Sequence, residues 1–133
     1  MEIDIREIHQ DEEYSTYTLA LYTSWGDSAR GFEFQRNLRE SGDSRAPRPP
    51  FDSYCVVNER HNVSFGGVES VVLNGHILKI TFSDRAMSEL NLPERTVALL
   101  LNVEDAEMDN IRSGLAYVFS YGPSDLLPEV VGL

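Results

Sequence analysis

The residues of this chain with the widest chemical reach are three histidines, one cysteine and a large excess of carboxylates. His9, His61 and His76 form no H-x-x-x-H pair, and Cys55 has no thiol companion, so the paired short spacings of a zinc site are missing. Calcium would want alternating acids closed by a glycine turn. The run Glu104-Asp105-Ala106-Glu107-Met108-Asp109 is acidic but has no such glycine. It falls where a helix should begin, and carboxylates there favour the positive end of the helix dipole. No G-x-S-x-G elbow marks a nucleophilic serine, although a Ser/His/Asp triad assembled only in space stays open. Phe65-Gly66-Gly67 lacks the Lys-Ser/Thr of a phosphate loop and leads into a strand. It reads as a bulge or tight turn in which glycine supplies a positive φ. Cys55, inside Tyr54-Cys55-Val56-Val57, reads as a small buried hydrophobe. The expectation is no catalytic residue, no metal site and no cofactor.

Charge is the loudest feature of the composition. Eleven basic residues face twenty-two acidic ones, a net charge of −11. Such a chain repels phosphate backbones and anionic membrane surfaces and attracts basic proteins. No stretch approaches the ~18 apolar residues of a membrane span. The start, Met1-Glu2-Ile3-Asp4-Ile5-Arg6, alternates acidic and apolar residues, unlike a secretory leader. A cytoplasmic protein with no nucleic-acid or membrane partner is expected.

Those residues need a scaffold, and 133 residues with 41% hydrophobic content fit one domain over 1–133. Strand patterns occupy about 2–9, 14–23, 31–38 and 52–59, with Asp11-Glu12-Glu13 as a polar turn. In the second of these, Tyr17, Leu19 and Leu21 share one face; Tyr14, Thr16, Thr18, Ala20 and Tyr22 share the other. Phe32, Phe34 and Arg36 point one way in the third. Residues 39–50 form a long loop without apolar period. Asn74-Gly75 between two β-rich runs predicts a type I′ hairpin. Ser83-Asp84 caps a short helix near 84–90, and Thr96 to Asn102 is a buried strand. Met108, Ile111, Leu115 and Val118 make the apolar stripe of the major helix, which Gly122-Pro123 ends. The apolar tail, 120–133, either packs back or meets a partner. The expected fold class is α+β: a single, mostly antiparallel twisted sheet of six to seven strands, with one major C-terminal helix packed on one face. The other sheet face is left for a partner.

Three features in order carry a resemblance. They are Gly31-Phe32-Glu33-Phe34-Gln35-Arg36-Asn37-Leu38; then Tyr54-Cys55-Val56-Val57-Asn58-Glu59 with Ser64-Phe65-Gly66-Gly67-Val68; then the Asn-Gly hairpin, a buried strand and a helix with an acidic start. This order resembles the immunity protein 10 family of bacterial polymorphic-toxin systems over roughly residues 2–119, with 120–133 outside the pattern. The resemblance implies a protein that neutralises a cognate toxin, and it brings no contact residues with it.

Acidic positions beside aromatic ones are the candidate partner-binding residues: Asp11, Glu12 and Glu13 next to Tyr14, Trp25 with Asp27, and Glu104, Asp105 and Asp109 at the helix start. The partner expected is a basic toxin domain, such as a nuclease, met by acidic surface complementarity. The alternatives are a small-molecule-binding or enzymatic α+β domain, which would show a concave pocket with convergent polar groups, and a homodimer formed through the sheet or the C-terminal tail.

Overall fold

The computed structural model of the chain describes residues 1–26, 28–38 and 52–133. Asp27 and all of the expected 39–50 loop lie outside the described residues. In chain order the elements are β1 (Glu2–Ile5), β2 (Glu7–Glu13), β3 (Thr16–Tyr22), β4 (Gly31–Asn37), β5 (Cys55–Asn58), β6 (Val63–Phe65), β7 (Val68–Asn74), β8 (Ile77–Phe82), α1 (Asp84–Glu89), β9 (Thr96–Leu101), α2 (Asp105–Val118) and β10 (Glu129–Val131).

The single sheet expected from the sequence is replaced by two five-stranded sheets. Sheet A runs β1-β9-β8-β7-β10 and sheet B runs β2-β3-β4-β5-β6. Two short breaks make the difference. Residues 2–9, read as one strand, turn at Arg6, so that β1 pairs parallel with β9 while β2 pairs antiparallel with β3. Gly66-Gly67 then carries the chain from β6 of sheet B to β7 of sheet A. Gly66 has φ +64°, as its reading as a turn glycine requires. At Gly67 a Cβ would sit 2.4 Å from the Ala86 Cβ and 2.8 Å from the Ser64 Oγ, so α1 and β6 close on bare backbone.

Both sheets feed one core. Alternation puts Ile3, Ile5, Leu78, Ile80, Phe82, Val97, Leu99 and Leu101 inside from sheet A, and Tyr17, Leu19, Leu21, Phe32, Phe34 and Val56 from sheet B. The Phe32 and Phe82 rings, one from each sheet, lie 5.9 Å apart. The stripe Met108, Ile111, Leu115 and Val118 is buried, and α2 packs on β3 and β4. Gly114 allows the close approach there, since a Cβ would meet the Tyr17 hydroxyl at 2.4 Å. Arg36, also inward, lies over the Tyr117 and Tyr121 rings at 3.9 and 4.5 Å. The tail packs back: Tyr54 donates its hydroxyl to the Leu126 carbonyl (2.8 Å), and β10 pairs parallel with β7.

The turns differ from expectation in an instructive way. In the β7–β8 hairpin Asn74 pairs with Ile77, so the two-residue turn is Gly75-His76, and only Gly75 has a positive φ (60°). That is the pattern of a type II′ turn, shifted one residue from the type I′ Asn-Gly expected. The type I′ pattern occurs instead at Tyr14-Ser15, with φ 52° and 63°, between Glu13 and Thr16. Asp11-Glu12-Glu13, read as a turn, therefore belongs to β2. Left-handed backbone costs an L-residue about 1–2 kcal/mol. The double change Tyr14→Asn with Ser15→Gly is expected to raise unfolding stability by about 1 kcal/mol or more, read by urea denaturation.

Candidate partner-binding face

In an antiparallel ladder, residues directly opposite each other share a face. The register of sheet B therefore maps its outer surface. One row runs His9, Ala20, Glu33, Val57, Val63. The next runs Asp11, Thr18, Gln35, Cys55, Phe65, flanked by Glu13, Thr16 and Asn37 on one side and by Glu7, Tyr22 and Gly31 on the other. This face carries Glu7, Asp11, Glu13 and Glu33 and, among its described residues, no lysine or arginine. None of these four carboxylates is ion-paired among the described residues.

Four of the described arginines pair with carboxylates elsewhere. Arg6 bonds Asp4 at 2.9 Å and holds that carboxyl below the usual carboxylate range. Arg85 meets Glu89 (2.6 Å), Arg95 meets Asp84 (3.4 Å) and Glu69, and Arg112 meets Asp109 (3.2 Å). Four carboxylates that are unpaired among the described residues, Glu7, Asp11, Glu13 and Glu33, thus share one sheet face.

At the Tyr22 end of this face, His9, Ala20, Tyr22, Trp25, Glu33, Glu59 and His61 are among the residues lining a cavity of about 460 Å³. The Tyr22 and Trp25 rings lie 5.3 Å apart at 47°, and Trp25 remains 55% exposed. Burial, then the nearby Glu33 and Glu59 charges, push the Tyr22 hydroxyl up to about 12. Glu59 and His61 belong to the β5–β6 turn. The buried Asn58 side chain shapes that turn by accepting from the Arg60 and Asn62 amides (both 3.0 Å) and donating to the Leu90 carbonyl (2.7 Å). Cys55 is buried as expected, and burial followed by the Glu33 charge pushes its thiol up to about 11. A thiol so far from ionising is a poor nucleophile.

The predicted site residues divide into two groups. Asp11 and Glu13 lie on the outer face of sheet B, and Tyr14 at the adjoining turn is 97% exposed. Glu12 faces the opposite way, beside Tyr17, Ser113 and Tyr117. Trp25 borders that face. Glu104, Asp105 and Asp109 lie at the start of α2, where Asp105 is 3.9 Å from His76 of the β7–β8 turn and Asp109 is bound to Arg112. No contact joins them to the sheet B group among the described residues. Sequence reasoning missed Glu33, Glu59, His9 and His61. The outward position of Glu33 between Phe32 and Phe34 was visible, but its neighbours came only from strand pairing. The described residues contain no cluster of three or more potential metal ligands, and no helix long and apolar enough to cross a membrane.

Fold and surface together define a small two-sheet β domain with a carboxylate-bearing sheet face. The chain belongs to the immunity protein 10 family, whose family model matches residues 4–109. No curated protein and no solved structure matches it. Residues 110–133 lie beyond the match, yet Leu115, Val118, Phe119 and β10 are integral to the fold.

Proposed function

We propose that the chain binds a cognate bacterial toxin domain and neutralises it by covering its active surface with the outer face of sheet B. The single observation that carries this is that the four carboxylates of that face have no ion-pair partner among the described residues. A basic partner is therefore favoured, and a nuclease domain with a cationic substrate groove fits best. The chain performs no catalysis in this reading. Neutralising a nuclease belongs where nucleic acid is, which places the protein in the cytoplasm.

The test is co-expression with the toxin domain encoded beside it. Rescue of growth and a stoichiometric complex are expected, with the association rate falling about tenfold or more between ~0.05 and ~0.5 M salt. Absence of both rescue and complex would sink the proposal. A finer prediction follows from the register. Asp11→Lys with Glu13→Lys should slow association by about tenfold, whereas Glu12→Lys, on the other side of β2, should change it far less. Thermal melting of both variants should stay near that of the parent, because surface charges contribute little to folding.

A further inference from the structure

We propose that the cavity bounded by Tyr22, Trp25, Glu33 and Glu59 receives a cationic side chain of the toxin, an arginine, as an anchor of the complex. This rests on the toxin-binding reading above and specifies its chemistry.

Glu33 is the central observation. It stands in mid-sheet on β4, half-buried, with Ala20 and Val57 opposite it on the two neighbouring strands. A carboxylate set among small apolar side chains loses part of its hydration. Glu33 has no ion-pair partner among the described residues, and neither has Glu59 across the cavity. Arg30 and Arg60, with Glu59, border a separate cavity beside Asn58 and Leu90. The wall supplied by Tyr22 and Trp25 completes the environment. Ring faces attract cations, and a tryptophan more than half exposed at the mouth of a cavity is the residue type that dominates interface energies. Arginine suits this combination better than lysine. Its planar guanidinium stacks on a ring while its fork donates to a carboxylate, and it sheds water more readily. A metal ion fits less well, given the absence of a three-ligand cluster among the described residues.

Trp25 is the chain's only tryptophan, so a 5-fluorotryptophan label gives one ¹⁹F resonance inside the cavity. In the full chain titrated with the toxin domain, that resonance is expected to shift. Trp25→Ala and Glu33→Gln should each weaken the complex by about tenfold or more. Glu129→Gln, on exposed β10 of sheet A, should leave affinity unchanged, and circular dichroism checks that each variant is folded. A tight wild-type complex with an unmoved resonance and full affinity in both cavity variants would overturn the anchor and leave the toxin-binding reading standing. No complex at all would overturn both. A resonance moved by N-acetyl-arginine amide but not by the toxin would assign the cavity to a small cationic ligand and overturn the docking role.

Discussion

Removing residues 124–133 is expected to lower the stability of the domain by roughly 3–5 kcal/mol, and its melting temperature by roughly 10 °C or more. The tail reads in sequence as an apolar terminus, but it acts as a clasp. Leu126 lies over Gly66, close enough that a Cβ there would meet its Cδ1 at 2.9 Å. Its carbonyl accepts a hydrogen bond from the hydroxyl of Tyr54, a fully buried residue whose hydroxyl oxygen also accepts from the Val68 amide at 3.1 Å. Burial pushes that hydroxyl up to about 12, so it stays a donor at any ordinary pH. Leu127 and Leu133 pack against the core, and β10 covers the edge of β7. Truncation removes these contacts and bares a strand edge, which should increase self-association. Calorimetry and light scattering check both. A truncated chain that melts like the parent would show that β10 is a passive appendage.

The faces of single elements were legible; their assembly was not. Tyr17, Leu19 and Leu21 against Thr16, Thr18 and Tyr22 could be sorted by period alone, because burial enforces alternation along a strand. The α2 stripe was legible for the same reason. Two sheets rather than one could not be read. Nothing in Ile5-Arg6-Glu7 announces that hydrogen bonding passes from β9 to β3 there. The turn chemistry misled in a specific way. Asn74-Gly75 promised both left-handed positions, yet Asn74 is held in the ladder by Ile77, while Tyr14 and Ser15, neither a turn-former of that kind, take the left-handed pair. Strain of that sort persists only where surroundings impose it.

The site shows the same limit. Acidic residues beside aromatic ones in the chain were the search rule; of its choices, Asp11 and Glu13 lie on the sheet B face proposed to bind, and Trp25 lies beside it. Glu12 lies on the other side of β2, because adjacent strand residues point to opposite faces. The rule could not find Glu33 and Glu59, which reach Tyr22 only through pairing of β3, β4 and β5 and through the turn after β5. The motif that carried the family resemblance, Phe65-Gly66-Gly67-Val68, serves the crossover between sheets. The other segments that carried the resemblance contain Glu33 and Glu59, but that these two border one cavity came only from strand pairing and the turn after β5.

Asn58→Asp is expected to make stability depend on pH in a way the parent does not, and this tests how the Glu59–His61 turn is held. Asn58 is buried, its Nδ2 donating to the Leu90 carbonyl at 2.7 Å while its Oδ1 accepts two amides. A protonated aspartic acid reproduces the whole pattern, its hydroxyl replacing the amide donor. An ionised one sets a carboxylate oxygen against the Leu90 carbonyl. The folded state therefore favours the proton and raises the pKa of the new carboxyl above its unfolded value of about 3.9. With the folded pKa raised, the unfolded state sheds the proton first. Stability of the variant relative to the parent is then fully present below about pH 4 and falls as pH rises, by up to ~1.4 kcal/mol per unit, until the folded pKa is reached. Near pH 4 the variant should melt close to the parent; at pH 7 it should be weaker by about 3 kcal/mol. The comparison is made by urea denaturation of both proteins at each pH, so that titration of the shared carboxylates cancels. A constant difference across that range would mean that the turn yields to the carboxylate instead of confining it. Glu59 and His61 would then be set by a turn too soft to hold the cavity's shape.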